Sequence, residues 1–262
     1  MGVSIFNNKR LFDPDTVRYI TQLASGRPDY IYQRVVDDLV TGIKIDDNWE
    51  EIDRLWLFAN AVQPLARVSL VNPLSTQITE VNAPAWVAKQ GYTSDGATSY
   101  LNSNFIPSTD GVRYTLNDAS MGIYSRTNTN AVSVDMGSFE LAALRFNTVH
   151  SREGGVLYVY INDNLGATAG ATVADSLGLS SGRRTSATAC ETFKNGASIG
   201  THIAIAAIPP ISQYILCRNN VGTADTFSGR QISFAYFGSS AVNQSKLYAR
   251  IQRYMSALGT QV

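Results

Sequence analysis

The chain has 262 residues, 44% of them apolar, and its 21 Lys and Arg are balanced by 21 Asp and Glu. That length suits one large domain with a real core. Zero net charge excludes the basic surplus by which nucleic-acid binders and polybasic membrane anchors work. No apolar run approaches the roughly 18 residues of a spanning helix, so no membrane insertion is expected. The opening Met1-Gly2-Val3-Ser4-Ile5-Phe6 lacks the charged-then-apolar order of a signal peptide, and Phe6 stands where a myristoylation site wants a hydroxyl. Synthesis in a cytoplasm without a lipid anchor is expected.

The first sixty residues carry helical spacing. Asp13-Pro14-Asp15 combines a capping carboxylate, a first-turn proline and an acid at the positive end of the dipole. Val17, Ile20, Leu23 and Ala24 follow at helical spacing up to Gly26. A second helix is expected from Pro28-Asp29, with Ile31, Val35, Leu39 and also Val36 on one face, ending at Gly42. Asp46-Asp47-Asn48 then introduces a third, striped by Trp49, Ile52, Leu55, Trp56 and Ala59. Three helices this short must dock on a larger body or on a neighbour. At this spacing core packing of the tryptophans is favoured over a partner surface. Leu57 and Phe58, however, fall outside the stripe and leave apolar area over. Trp49, Trp56, Leu57 and Phe58 are therefore the candidate interface, and residues 1–67 the expected helical assembly region.

From about residue 68 the pattern becomes short β-type runs separated by Gly, Asn, Ser and Asp. Strands are expected around 99–105, 120–125, 131–135, 141–146, 156–161, 185–193, 202–208, 214–218 and 230–236. Asn195-Gly196 is the strongest hairpin signal. A final helix capped at Asn243 or Ser245 carries Leu247, Ile251, Tyr254, Met255 and Leu258 on one side. The fold class is thus mainly β, a two-sheet jelly-roll sandwich over 68–262, with a small N-terminal helical region and a C-terminal helix. Cys190 and Cys217 lack a CxxC spacing and read as buried thiols, with pairing as the alternative. His150 and His202 form no metal-binding motif.

Several segments carry a family resemblance. Gly91 to Gly111, Ser120-Met121-Gly122-Ile123-Tyr124-Ser125-Arg126-Thr127, the hairpin Phe193-Lys194-Asn195-Gly196 and the tail from Phe227 to Ala241 resemble concanavalin A-like (laminin-G-type) jelly rolls of bacteriophage structural proteins. Residues 36–58 resemble the helical leader that precedes such domains. The resemblance spans about residues 30–258. It implies a virion structural component, exposed on a tail, fibre or head, partnered by other virion proteins, and adhering to host-surface carbohydrate.

Some members of that superfamily are glycoside hydrolases, which resemble one another in a Glu-x-Asp-x-x-Glu strand motif. The chemistry needs two carboxyls about 5 to 9 Å apart. Here the nearest pair, Asp135 and Glu140, has no central acid, and Gly137-Ser138 between them reads as a turn. No nucleophile elbow, phosphate loop or dinucleotide fingerprint is present. Asn162-Asp163-Asn164 reads as a strand-end turn, although lectin-type calcium sites of the superfamily make Asp163 and Asn164 the only candidate metal ligands. Thirteen tyrosines and ten phenylalanines offer rings for sugar stacking. Arg126, Arg145, Arg183 and Arg184 fall near strand ends, where solvent is their commonest neighbour. No cofactor and no catalysis are expected. The alternative is a carbohydrate-binding or polysaccharide-degrading protein acting on a host surface.

Overall fold

A computed structural model describes residues 11–24, 26–164, 170–203, 205 and 207–262. The N-terminal decad, on which the signal and lipidation expectations rest, lies outside the described residues, as do positions 204 and 206 of the strand expected over 202–208. Among the described residues there are five helices: α1 (Pro14–Ile20), α2 (Tyr30–Ile45), α3 (Gln63–Ala66), α4 (Pro107–Asp110) and α5 (Gln244–Ala257). The first strands are β1 (Ile52–Leu57), β2 (Thr79–Val81), β3 (Ala85–Val87), β4 (Gly91–Thr93), β5 (Tyr100–Asn102), β6 (Ala119–Ser125), β7 (Met136–Glu140), β8 (Arg145–Glu153) and β9 (Val156–Asp163). They are followed by β10 (Gly170–Thr172), β11 (Gly178–Arg184), β12 (Ala189–Lys194), β13 (Ala197–Ile203), β14 (Tyr214–Ile215), β15 (Arg218–Asn220), β16 (Thr223–Asp225) and β17 (Gln231–Gly238).

The strands form two sheets, antiparallel apart from a parallel β15–β7 pair. One runs β13-β12-β11-β6-β17-β4-β3, with β1 beside β17; the other runs β10-β9-β8-β7-β14-β5-β2, with β15 and β16 attached at β7. Between them lies a core of Trp56, Phe58, Phe105, Tyr114, Met121, Ile123, Val149, Val159 and Phe237, among others. The mainly β two-sheet sandwich with a C-terminal helix is therefore what the chain adopts.

A second core covers the other face of the first sheet. Phe234 and Tyr236 of β17, Tyr124 of β6 and Leu55 and Leu57 of β1 meet Tyr19, Val36, Leu39, Val40 and Ile43 from the leader and Leu247, Ile251 and Met255 from α5. The caps expected for these helices are present: Asp13 accepts from Asp15 N, Asp29 from Tyr32 N and Asn243 from Lys246 N. Helix α2 runs on to Ile45, and it buries Tyr32, Val36, Leu39, Val40 and Ile43 rather than the face expected to include Ile31, which is 76% exposed. Tyrosine hydroxyls tie the layers together. Tyr254 Oη donates to Ala59 O at 2.8 Å and meets Tyr32 Oη at 3.0 Å, while Tyr19 Oη donates to Leu65 O at 2.8 Å.

The third leader helix is a correction. After one 3-10 turn at Trp49–Glu51 the chain becomes strand β1, pairing Leu55, Trp56 and Leu57 with Tyr236, Ala235 and Phe234. A strand buried on both faces reads as a continuous apolar run, which helical spacing fits by accident. Strand β1 lies inside the 1–67 stretch yet belongs to the sandwich. Two further turns are also corrected. Residues 136–140 form β7, and Asn162 and Asp163 belong to β9. The expected strand at 131–135 is irregular chain, and of that expected at 141–146 residues 141–144 form the turn from β7 into β8, which starts at Arg145. The Asn195-Gly196 hairpin stands between β12 and β13, with φ of 51° and 77°.

Candidate functional face of the second sheet

The helices cover the outer face of the first sheet, so the open face belongs to the second. Leu157, Val159 and Ile161 point into the core, and alternation therefore turns Tyr158 and Tyr160 outward. On β8, Val149 is in the core, and Thr148 and His150 face out beside the two tyrosines to which they are paired. The tyrosine rings lie parallel, 6.3 Å apart at 6°, and His150 stands edge-on to both at 6.0 and 6.2 Å. Gly170 of β10 makes room for Tyr158, because a Cβ there would come 2.6 Å from its ring. Further across, Phe146 of β8 packs on Phe139 of β7 at 4.4 Å, and the Arg218 guanidinium of β15 lies over Phe139 at 4.2 Å. Three strands thus contribute one strip of rings, half-buried except for the buried Phe146, and β15 adds the Arg218 guanidinium.

Fixed polar groups border it. His150 Nδ1 is 2.9 Å from Glu153 Oε2 and Nε2 is 3.1 Å from Thr148 Oγ1. In the neutral ring, Nδ1–H donates to the carboxylate and Nε2 accepts from the hydroxyl. Burial holds the imidazole below its ordinary pKa against the pull of Glu153. Arg218 grips Asp225 with two bonds of 2.7 and 2.8 Å, and Arg145 donates to Glu140 at 3.1 Å. Despite burial, which acts upward, the Arg218 bonds keep the Asp225 carboxyl below its usual range. Each of these carboxylates is held by a cation or an imidazole, whereas a glycosidic acid needs a carboxyl kept protonated by an apolar setting. Rings flanked by paired donors and acceptors are suited to stacking and hydrogen bonding with a polyol.

The residues singled out from sequence lie elsewhere. Trp49, Trp56, Leu57 and Phe58 are all core, 6%, 0%, 1% and 0% exposed, because β1 is a strand; the leftover apolar area expected of a helix there does not exist. Asp163 is buried at the end of β9 and Asn164 half-buried beside it. Among the described residues, no group of three or more His, Cys, Asp or Glu gathers to hold a metal. Asp135 is buried and bonded to Arg230 at 2.9 Å, to Ser228 at 2.5 Å and to Ser151 N at 2.7 Å. Burial works against its charge, but Arg230 and the hydrogen bonds from Ser228 and Ser151 together hold the carboxyl below its usual range. Cys190 and Cys217 are buried free thiols.

Of the four arginines, Arg145 borders the strip and Arg126 donates to Thr260 O. Arg183 pairs with Glu191, and Arg184 does not face solvent: it is fully buried, donating to Ile161 O, Asn162 O, Ser186 O and Ala187 O. Sequence reasoning missed the strip as a unit. The i, i+2 tyrosines were its one local signal, while Phe139 joins it through the β7–β8 pairing and Arg218 through the parallel β15–β7 pairing.

No protein-family model and no curated protein matches the sequence. Among solved structures the chain is similar to the receptor binding domain of botulinum neurotoxin C/D mosaic serotype, at 7% identity and TM-score 0.52, over 77% of this chain and 51% of that one. It is similar to the botulinum neurotoxin serotype D binding domain, at 10% identity and TM-score 0.50, over 76% and 52%. It also matches domain 4 of AbnA, a GH43 extracellular arabinanase from Geobacillus stearothermophilus in complex with arabinotriose, at 11% identity and TM-score 0.43, over 77% and 98%. The chain spans about half the length of the two neurotoxin domains. What it shares with them is the antiparallel two-sheet sandwich.

Proposed function

We propose that the chain is a non-enzymatic carbohydrate-adhesion module. The observation that carries this reading is the strip Tyr160-Tyr158-His150-Phe146-Phe139-Arg218 on the sheet face that the described helices do not cover. A sugar lays its C–H face on the negative face of a ring. Its hydroxyls then meet the His150–Glu153 and Arg218–Asp225 pairs, which are already oriented. A shallow strip of this kind binds weakly per copy, so display in many copies supplies avidity.

The resemblance of residues 30–258 to phage structural proteins supports the finer setting: an exposed virion component made in the host cytoplasm, partnered by other virion proteins and self-associating. Its assembly contact is assigned to the exposed apolar side of the leader, where Leu11 is 94% and Ile31 76% exposed. A glycan array of a multimerised chain is the test. Binding should fall about tenfold or more in Tyr158→Ala/Tyr160→Ala, and no polysaccharide should release reducing ends. Unchanged array binding in that variant refutes the face. Depolymerisation abolished by Glu153→Gln establishes the degrading alternative.

A further inference from the structure

The end of the sandwich nearest α1 carries a second opening. A groove of about 450 Å³ runs between α1, the turn at Trp49–Glu51, the start of β1 and the segment after α4. Its volume is that of a small-molecule site. Four carboxylates line it, and three already accept hydrogen bonds from within the fold. Asp53 accepts from the backbone N–H of Val112, Arg113 and Tyr114 at 2.8 to 3.0 Å. Asp15 is held by Lys44 at 2.6 Å and Arg18 at 3.0 Å, and Asp110 accepts from Ile106 N at 2.7 Å.

The cations are less well served. Among the described residues, the Arg54 side chain makes one hydrogen bond, to Asp53 O, and lies over the Phe105 ring at 5.2 Å. Arg113 reaches only Glu50, at 4.0 Å, and Glu50 is 82% exposed. A guanidinium has five N–H donors in a planar fork that matches a carboxylate. The groove therefore has donors to spare at Arg54 and Arg113, which Asp53, Asp110 and Glu50 offset in charge without taking up those donors. Val71 and Val112 give it apolar wall, while the Trp49 ring is buried beside them with Lys44 Nζ over it at 5.1 Å.

We infer that this groove is a binding site for a carboxylate-bearing sugar, its carboxylate between Arg54 and Arg113 and its ring against the Val71 and Val112 wall. The class of ligand rests on the carbohydrate reading above, while the site is separate from the aromatic strip. A monosaccharide acid held this way binds with a dissociation constant on the order of 1 mM. Glu50 competes with the ligand for Arg113, so its neutralisation should tighten binding about threefold at low salt.

The test is titration of the 15N-labelled chain with D-glucuronate, D-glucose and inorganic phosphate, following arginine Nε–Hε signals assigned through Arg54→Lys and Arg113→Lys. Glucuronate should shift Arg54 and Arg113 selectively, glucose should not, and phosphate should act at least about tenfold more weakly because it leaves the apolar wall empty. Glu50→Gln should tighten the glucuronate response, Arg113→Gln should weaken it, and Tyr158→Ala should leave it intact.

Equal response to phosphate overturns the sugar assignment. Equal shifts at all arginines, or no shift at Arg54 and Arg113, overturn the site. Loss of the response in Tyr158→Ala places the acid on the aromatic strip instead, which overturns this inference and spares the adhesion reading. A glucuronate response in a chain silent on the glycan array spares the groove and removes the strip.

Discussion

Lys194, at the end of β12, is the group whose burial makes the strongest prediction. Its side chain is 12% exposed, Nζ has no hydrogen-bond partner among the described residues, and the carboxylate of Asp175 is 3.7 Å away at Oδ1. Burial is the largest influence and brings its pKa down to about 8, with Asp175 offsetting only part of it. In the unfolded chain the value returns to 10.5. Below pH 8 both states are protonated, and the folded state bears the whole cost of burying the charge. Between about 8 and 10.5 the unfolded chain binds more protons, so this lysine makes stability rise with pH in that window.

The interval corresponds to about 3 kcal/mol. Swinging of the ammonium toward the adjoining 250 Å³ opening trims this to about 2. Lys194→Met keeps the buried stem and removes the charge, so it should be about 2 kcal/mol more stable than the native chain at pH 7. The advantage should shrink steadily between pH 8 and 10. Burial also raises the pKa of Tyr19, Tyr32 and Tyr114, so alkali weakens both proteins alike, and the difference between them isolates the lysine. Urea unfolding at pH 7, 8, 9 and 9.5 measures it. A Met variant less stable at pH 7, or a difference that does not change with pH, refutes the reasoning.

Two further outcomes follow from the layering. Deleting residues 1–67 removes β1 from beside β17 and Trp56 from the inter-sheet core, a loss well beyond the roughly 3–5 kcal/mol of one large-to-small core change; the product should lack dispersed amide NMR signals, and a folded truncation would show β1 to be dispensable. Asp46 is gripped by Arg250 through bonds of 2.7 and 3.0 Å, which lower its pKa, so the pair stabilises above the usual Asp range and this is lost as pH falls through the lowered value. Arg250→Gln should cost about 1 kcal/mol at pH 7 and almost nothing at pH 2 by urea unfolding, and a cost independent of pH would assign Arg250 to packing alone.

What the sequence made legible was local. Asp13, Asp29 and Asn243 cap helices because a side-chain oxygen meets an N–H two or three residues on, and Asn195-Gly196 turns because both residues accept positive φ. What it hid was set by distant partners. Strand β1 looks helical because one of its faces is covered by α2 and α5 and the other by the second sheet, which erases the period of two. Gly137 looks like a turn residue, yet it is there for close approach: a Cβ would come 2.3 Å from Asn147 O on β8. Arg184 looks like a surface cation, but its donors are spent on four carbonyls within the fold. The strip gave half a signal, since Tyr158 and Tyr160 are visibly alternate while Phe139, Phe146 and Arg218 are gathered by pairing.

The same layering bears on where a ligand can be met. A two-sheet sandwich normally offers two outer faces, and this chain gives one of them to its helices. The sheet so covered carries Phe234, Tyr236 and Tyr124 on that side, apolar rings in contact with α2 and α5 rather than with solvent. The opposite sheet turns out rings that are only half-buried and edged by ion pairs. Because β9 is bonded to β10 and β8, β8 in turn to β7, and Val149, Leu157, Val159 and Ile161 pack into the core beneath, the platform that carries those rings is stiff. A stiff platform loses little conformational entropy on binding, which matters most when each contact is weak. Adhesion by a single face also fixes orientation. A copy held through its leader presents the strip away from the helical layer, so many copies on one scaffold address one surface together.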